Sequence, residues 1–131
     1  MNSNNIPNRA TLPILKQLIA IYKMWHEIMP SLAKTSRYTL GEKIDNFFLA
    51  VIELVHTASF LSKEQKQPYL QNAAVKIDLL KFFLQITWEI RAIDTKKYIT
   101  LSELLDEIGR MLGGWIRQLT VPPGSSRAAM K

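Results

Sequence analysis

The segment YITLSELLDEIGRMLGGWIR, residues 98–117, places Leu104, Leu105, Ile108, Leu112 and Trp115 at the spacing of an amphipathic helix. The same segment holds three glycines, Gly109, Gly113 and Gly114. Each glycine inside a helix costs roughly 1 kcal/mol relative to alanine. Gly109 and Gly113 stand one helical turn apart, so both open the same face, and without Cβ atoms that face lets another helix approach closely. Gly114 adjoins it. The alternative is that Gly113-Gly114 breaks the helix and Trp115 starts a new segment. The apolar run from Ile108 through Leu112 and Trp115 to Leu119 keeps its phase, which favours one continuous helix. The glycines do not follow a strand and lack the lysine and hydroxyl of a phosphate-binding loop.

Three further helices precede this one. Residues 1–11 read as a disordered N-terminus. Pro13 suits a first helical turn, where its missing N–H costs nothing. Ile14, Leu18, Ile21, Trp25 and Ile28 then form a stripe, and Pro30 ends or kinks this helix. The stretch SLAKTSRY reads as a basic loop. Thr39 and Glu42 form a capping box that opens a second helix, whose stripe runs through Ile44, Phe47, Phe48, Val51, Leu54, Val55, Ala58 and Leu61. A third helix is expected from near Pro68 to about Ile93. Thr100 and Glu103 supply a second capping box for the fourth, and residues 120–131 read as a flexible tail. No stretch alternates with period two between turn signals. The expected fold is all-α: an antiparallel up-down four-helix bundle over residues 12–119.

The third helix is apolar on two sides. One face carries Leu70, Ala73, Ile77, Leu80, Leu84 and Trp88. A second carries Val75, Leu79, Phe82, Phe83, Ile86, Ile90 and Ile93, leaving a narrow polar strip with Gln71, Asp78, Gln85 and Glu89. A peripheral helix of a lone bundle shows water a broad polar face. Two apolar faces imply either a second subunit on Leu79, Phe82, Phe83, Ile86 and Ile90, or a helix buried centrally or under the tail. Lys81 falls on the first face. Its stem can pack while its ammonium reaches water, or the helix can present it to phosphate or an acidic surface.

The chain has 131 residues, no cysteine and a net charge of +6. This excludes disulfides, thiol catalysis and cysteine–zinc sites. No apolar run approaches the ~20 residues of a membrane span, and the polar N-terminus lacks a signal core, so a cytoplasmic protein is expected. The basic excess favours acidic partners, nucleic acid foremost. Glu53 and His56 have a Glu-x-x-His spacing known from di-iron bundles, but one copy with no matching glutamates does not make a metal site. Asp106 can pair with Arg110 along its helix. No nucleophile elbow or triad is present, and no cofactor is expected; the chain reads as a non-enzyme. The cations concentrate on the first and third helices and their loops: Lys16, Lys23, Lys34, Arg37, Lys76, Lys81, Arg91, Lys96 and Lys97 are the candidate nucleic-acid contacts. No RRM-like interleaving of aromatic and basic residues supports base-specific reading.

RYTLGEKID (37–45), LLKFFLQI (79–86) and above all YITLSELLDEIGRMLGGWIR (98–117) resemble the Avd-type four-helix bundle family. Avd is the accessory variability determinant of diversity-generating retroelements. The intervening-sequence four-helix proteins, small bundles of uncertain role with general nucleic-acid binding, are a broader relative and the alternative reading. The resemblance covers residues 12–119. It implies barrel-shaped homopentamers with basic surfaces that bind the retroelement's reverse transcriptase and template RNA, and support mutagenic cDNA synthesis without catalysing it. It also implies a partner-binding role for Lys81, which matches a basic family position before an aromatic residue. One turn later Gln85 stands where some members carry a second basic residue, and Ala33 stands where the family pattern has proline.

Overall fold

The computed structural model describes residues 11–120, all in helices or the turns between them. The segments expected to be disordered lie outside the described residues, apart from Thr11 and Thr120. Four long helices run α1 (Thr11–Ile28), α2 (Glu42–Ala58), α3 (Lys63–Glu89) and α4 (Thr95–Thr120). The α2–α3 and α3–α4 turns are short, and Tyr22 meets Phe48 with ring centroids 5.8 Å apart, so successive helices are antiparallel. None is long and apolar enough to cross a membrane, among the described residues.

The four stripes meet in one core. It includes Leu18, Ile21 and Trp25 from α1, Ile44, Phe48 and Val51 from α2, Leu70, Ile77, Leu80 and Leu84 from α3, and Leu101, Leu105, Ile108 and Leu112 from α4. Trp25 lies flat against Phe48 and donates its indole N–H to the Asp45 carboxylate at 3.2 Å. Fully burying each large apolar side chain contributes about 1.5–3 kcal/mol. α4 passes through Gly113-Gly114 without a break.

Helix boundaries depart from the sequence reading in four places. The expected basic loop is largely helical: a single turn, Lys34–Ser36, leads through a π-helical turn, Arg37–Gly41, directly into α2. Thr39 therefore sits inside a helix and caps nothing; its hydroxyl donates to the Thr35 carbonyl at 2.7 Å. Thr100 likewise donates to the Lys96 carbonyl at 3.0 Å, because α4 begins five residues earlier than its capping box implied. There the Asp94 carboxylate accepts the Lys96 backbone N–H at 3.0 Å, satisfying one of the donors that a helix start leaves open. α3 also starts earlier, at Lys63, where the Ser62 hydroxyl accepts the Gln65 N–H at 3.4 Å. Pro68 is thus inside it.

At its other end α3 stops at Glu89 rather than near Ile93. Arg91 adopts φ 63°, the left-handed conformation. Its N–H bonds the Trp88 carbonyl at 2.9 Å, and the Ala92 N–H bonds the Thr87 carbonyl at 2.9 Å. This pair of reversed bonds is the Schellman closure, a role more often filled by glycine. The turn folds Ile93 back into the core, where it is 6% exposed. Thr87, not Trp88, occupies the last core position of α3; its hydroxyl is satisfied by the Phe83 carbonyl at 2.8 Å.

Candidate functional site

The antiparallel path brings the Met29–Gly41 connection and the α3–α4 turn to the same end of the bundle. Five of the nine candidate cations lie at this end: Lys34, Arg37 and Arg91 in the two connections, and Lys96 and Lys97 in the first turn of α4. Lys34, Arg91, Lys96 and Lys97 are exposed. Arg37 is not: its guanidinium donates to the Pro30 and Leu32 carbonyls at 3.0 and 3.2 Å, so it fastens the connection after α1. Lys16 and Lys23 stand exposed along α1. Lys76 is half-buried, with its ammonium 6.0 Å from the centre of the Phe47 ring.

Lys81 is half-buried and paired with Asp106 of α4. Asp106 thus bridges two helices rather than pairing with Arg110 along its own. The seam between α3 and α4 carries three shallow depressions. The one at the turn, about 650 Å³, is lined by Trp88, Arg91 and Thr95 among others. The next, about 400 Å³, takes in Tyr98, Gln85 and Lys81. The third, about 560 Å³, has Ala74, Gly109 and Gly113 beneath Lys81, Arg110 and Arg117.

That third depression corrects the reading of the glycines. Among the described residues no other helix crowds Gly109: a Cβ built there would meet nothing within 4 Å. One on Gly113 or Gly114 would meet the Arg117 guanidinium, at 3.5 and 3.7 Å. The core side of α4 belongs to Ile108, Leu112 and Trp115, which turns the glycines outward. The close approach occurs instead at Gly41, where a Cβ would lie 3.3 Å from Leu32 Cδ1.

The second apolar face of α3 is open in the single chain. Phe82 is 55% and Ile90 54% exposed, and Leu79 and Val75 are exposed with them. Phe83 and Ile86 are half-buried; the Phe83 ring stacks on Phe47 of α2 at 5.7 Å.

Several groups escaped the sequence reading. Lys43 places its ammonium 5.4 Å from the Phe47 ring centre and 5.8 Å from that of Phe83. Lys66, in the first turn of α3, is buried with its ammonium 5.2 Å from the Trp115 ring centre, and burial pushes its pKa down. Trp88 and Tyr98 stack at the α3–α4 turn. Lys43–Phe47 is an i,i+4 pair within α2, but the contacts to Phe83, Trp115 and Tyr98 each join two helices, so no spacing along one helix reveals them. His56 packs edge-on against Phe60 at 5.1 Å. Among the described residues no three His, Asp or Glu side chains gather into a metal-binding group.

The fold and its surfaces define the class: a small helical bundle with a cation-rich end and an uncovered apolar face. Within that class the chain belongs to the bAvd-like family, whose profile matches residues 12–119. No curated protein is similar enough to match.

Proposed function

We propose that this chain is a non-catalytic accessory protein of a diversity-generating retroelement. It assembles as a homo-oligomer, a pentameric barrel in the family pattern, and binds the cognate reverse transcriptase and template RNA through basic surfaces to support mutagenic cDNA synthesis. The observation that carries this reading is the bAvd-like match over nearly all of the described chain, together with four exposed cations, Lys34, Arg91, Lys96 and Lys97, at one end of the bundle.

Oligomerisation gives the open α3 face its cover. It also repeats the cationic end in every subunit, so phosphate affinity multiplies without any single strong site. The glycine-floored depression beside Lys81 is a further surface on which a protein partner can lie close to the backbone. Binding to RNA at ~50 mM salt, falling steeply by ~200 mM, is the expected result. Co-purification with a retroelement reverse transcriptase tests the second partner. Absence of measurable RNA binding at low salt refutes the proposal.

A further inference from the structure

Trp88 is displaced from the core by Thr87, yet it is not loose. Its ring and that of Tyr98 lie 4.9 Å apart and 8° from parallel. Its indole N–H donates to the Thr95 hydroxyl at 3.0 Å, which fixes the ring within its plane. Tyr98 covers one face of the indole, and Trp88 still remains 36% exposed.

The depression beside this ring is lined by Arg91 and by two carboxylates, Glu89 and Asp94, both of them hydrogen-bonded. Glu89 accepts a hydrogen bond from the Gln85 amide at 2.8 Å, and Asp94 caps α4. Arg91, Lys96 and Lys97 are exposed, and among the described residues no carboxylate holds them. The left-handed turn that stops α3 is what sets Arg91 beside the ring. Trp88 also lies about 180° around α3 from Leu79, by the helical rotation of about 100° per residue. Cover on the Leu79 and Ile86 face therefore leaves it open.

We infer that Trp88, backed by Tyr98, is a stacking platform for an unpaired base of single-stranded nucleic acid, with Arg91, which lines the same depression, holding a flanking phosphate. A flat, pre-oriented ring with a cation beside it is a recurrent element of sequence-tolerant single-strand binding, since every base has a π-face. A duplex keeps its bases stacked on one another and offers this ring no free face. The inference rests on the nucleic-acid reading above and adds strand form and a contact to it.

The protein carries its own reporter. Of its three tryptophans, Trp25 is 0% and Trp115 7% exposed, so quenching by a bound strand reports on Trp88. Full-length protein is titrated at low salt with a short oligouridylate, with a duplex of the same length and with heparin. Quenching by the single strand, and much less by the duplex or heparin, is expected. Trp88→Ala should weaken oligouridylate binding roughly 5- to 150-fold, the range for one base–aromatic stack, and leave duplex and heparin binding within about twofold. Trp88→Phe, which keeps a stacking ring, should retain most of the single-strand affinity. Equal quenching by heparin, or unchanged oligouridylate affinity in Trp88→Ala, overturns the platform while leaving the basic-surface reading intact. Failure of wild-type protein to bind any of the three overturns both.

Discussion

Lys81 of α3 and Asp106 of α4 form an ion pair across the seam between their helices. Their side chains are 35% and 45% exposed, so solvent screens the pair and its contribution to stability is at most about 1 kcal/mol. The pair matters more for what it withholds. While Asp106 holds it, Lys81 is half neutralised as a phosphate contact. Asp106→Asn is expected to leave the melting temperature nearly unchanged. It should raise RNA affinity and steepen the dependence of log affinity on log salt by about one phosphate contact. Lys81→Ala should reverse that gain. An unchanged salt slope in Asp106→Asn would mean that Lys81 is not at the RNA surface.

The open face of α3 gives a test of assembly that the structure refines. Phe83 is a poor choice for substitution because its ring also packs on Phe47. Phe82 and Ile90, at 55% and 54% exposed, contribute little to the single-chain core. Changing both to serine should leave helicity intact and reduce the mass by light scattering to that of one subunit. An unchanged oligomeric mass would place the interface elsewhere.

Gly109 and Gly41 should answer the same substitution in opposite ways. Alanine at Gly109 has open space and the better helix propensity, so Gly109→Ala is expected to stabilise the fold by about 0.5–1 kcal/mol. At Gly41 the new methyl would lie 3.3 Å from Leu32 Cδ1 and 3.4 Å from the Ser36 carbonyl. Leu32 is 2% exposed and has nowhere to retreat. Overpacking of this kind costs about 1–3 kcal/mol, enough to reverse the propensity gain. Denaturant unfolding of the two variants decides it, and equal stabilisation by both would contradict the packing at Gly41.

Lys66 makes stability depend on alkaline pH. Burial holds its pKa below the ordinary 10.5. Between that depressed value and 10.5 the unfolded chain binds more protons than the folded one, so this site's contribution rises with pH. Tyr22 works in the other direction: burial first, then its hydrogen bond to Asp45 and that carboxylate's charge, raises its pKa above 10.0, and its contribution falls from there upward. Lys66→Met removes only the first effect. The melting temperature of the natural protein should therefore rise relative to that of Lys66→Met as pH goes from about 8 to about 10. A constant difference would show that the Lys66 ammonium is well solvated.

The helices were legible because their signal is local. Ile14, Leu18, Ile21 and Trp25 recur at the helical period, and so do Leu105, Ile108 and Leu112; both runs are core. The limits of the helices were less so. Thr39 and Thr100 each precede a glutamate by three residues, but a threonine hydroxyl is equally satisfied by the carbonyl one turn back, and the capping pattern cannot distinguish the two. Likewise Gly109 and Gly113 share a face in any helix, whereas the direction of that face depends on which residues of α4 the other helices take up. The candidate cations were readable as a composition, but not Arg37's use as a fastener or Lys81's pairing.

By itself the sequence determined four amphipathic helices, their order, an excess of positive charge and a third helix with more apolar surface than one core can bury. These follow from periodicity and composition, which no neighbour can change. The tertiary structure alone decided where α3 turns back at Arg91, which glycine is crowded, and that Trp88 meets Tyr98 beside Arg91. Those depend on the rotation and offset of one helix against another, fixed by the packing of the whole core rather than by any stretch of chain.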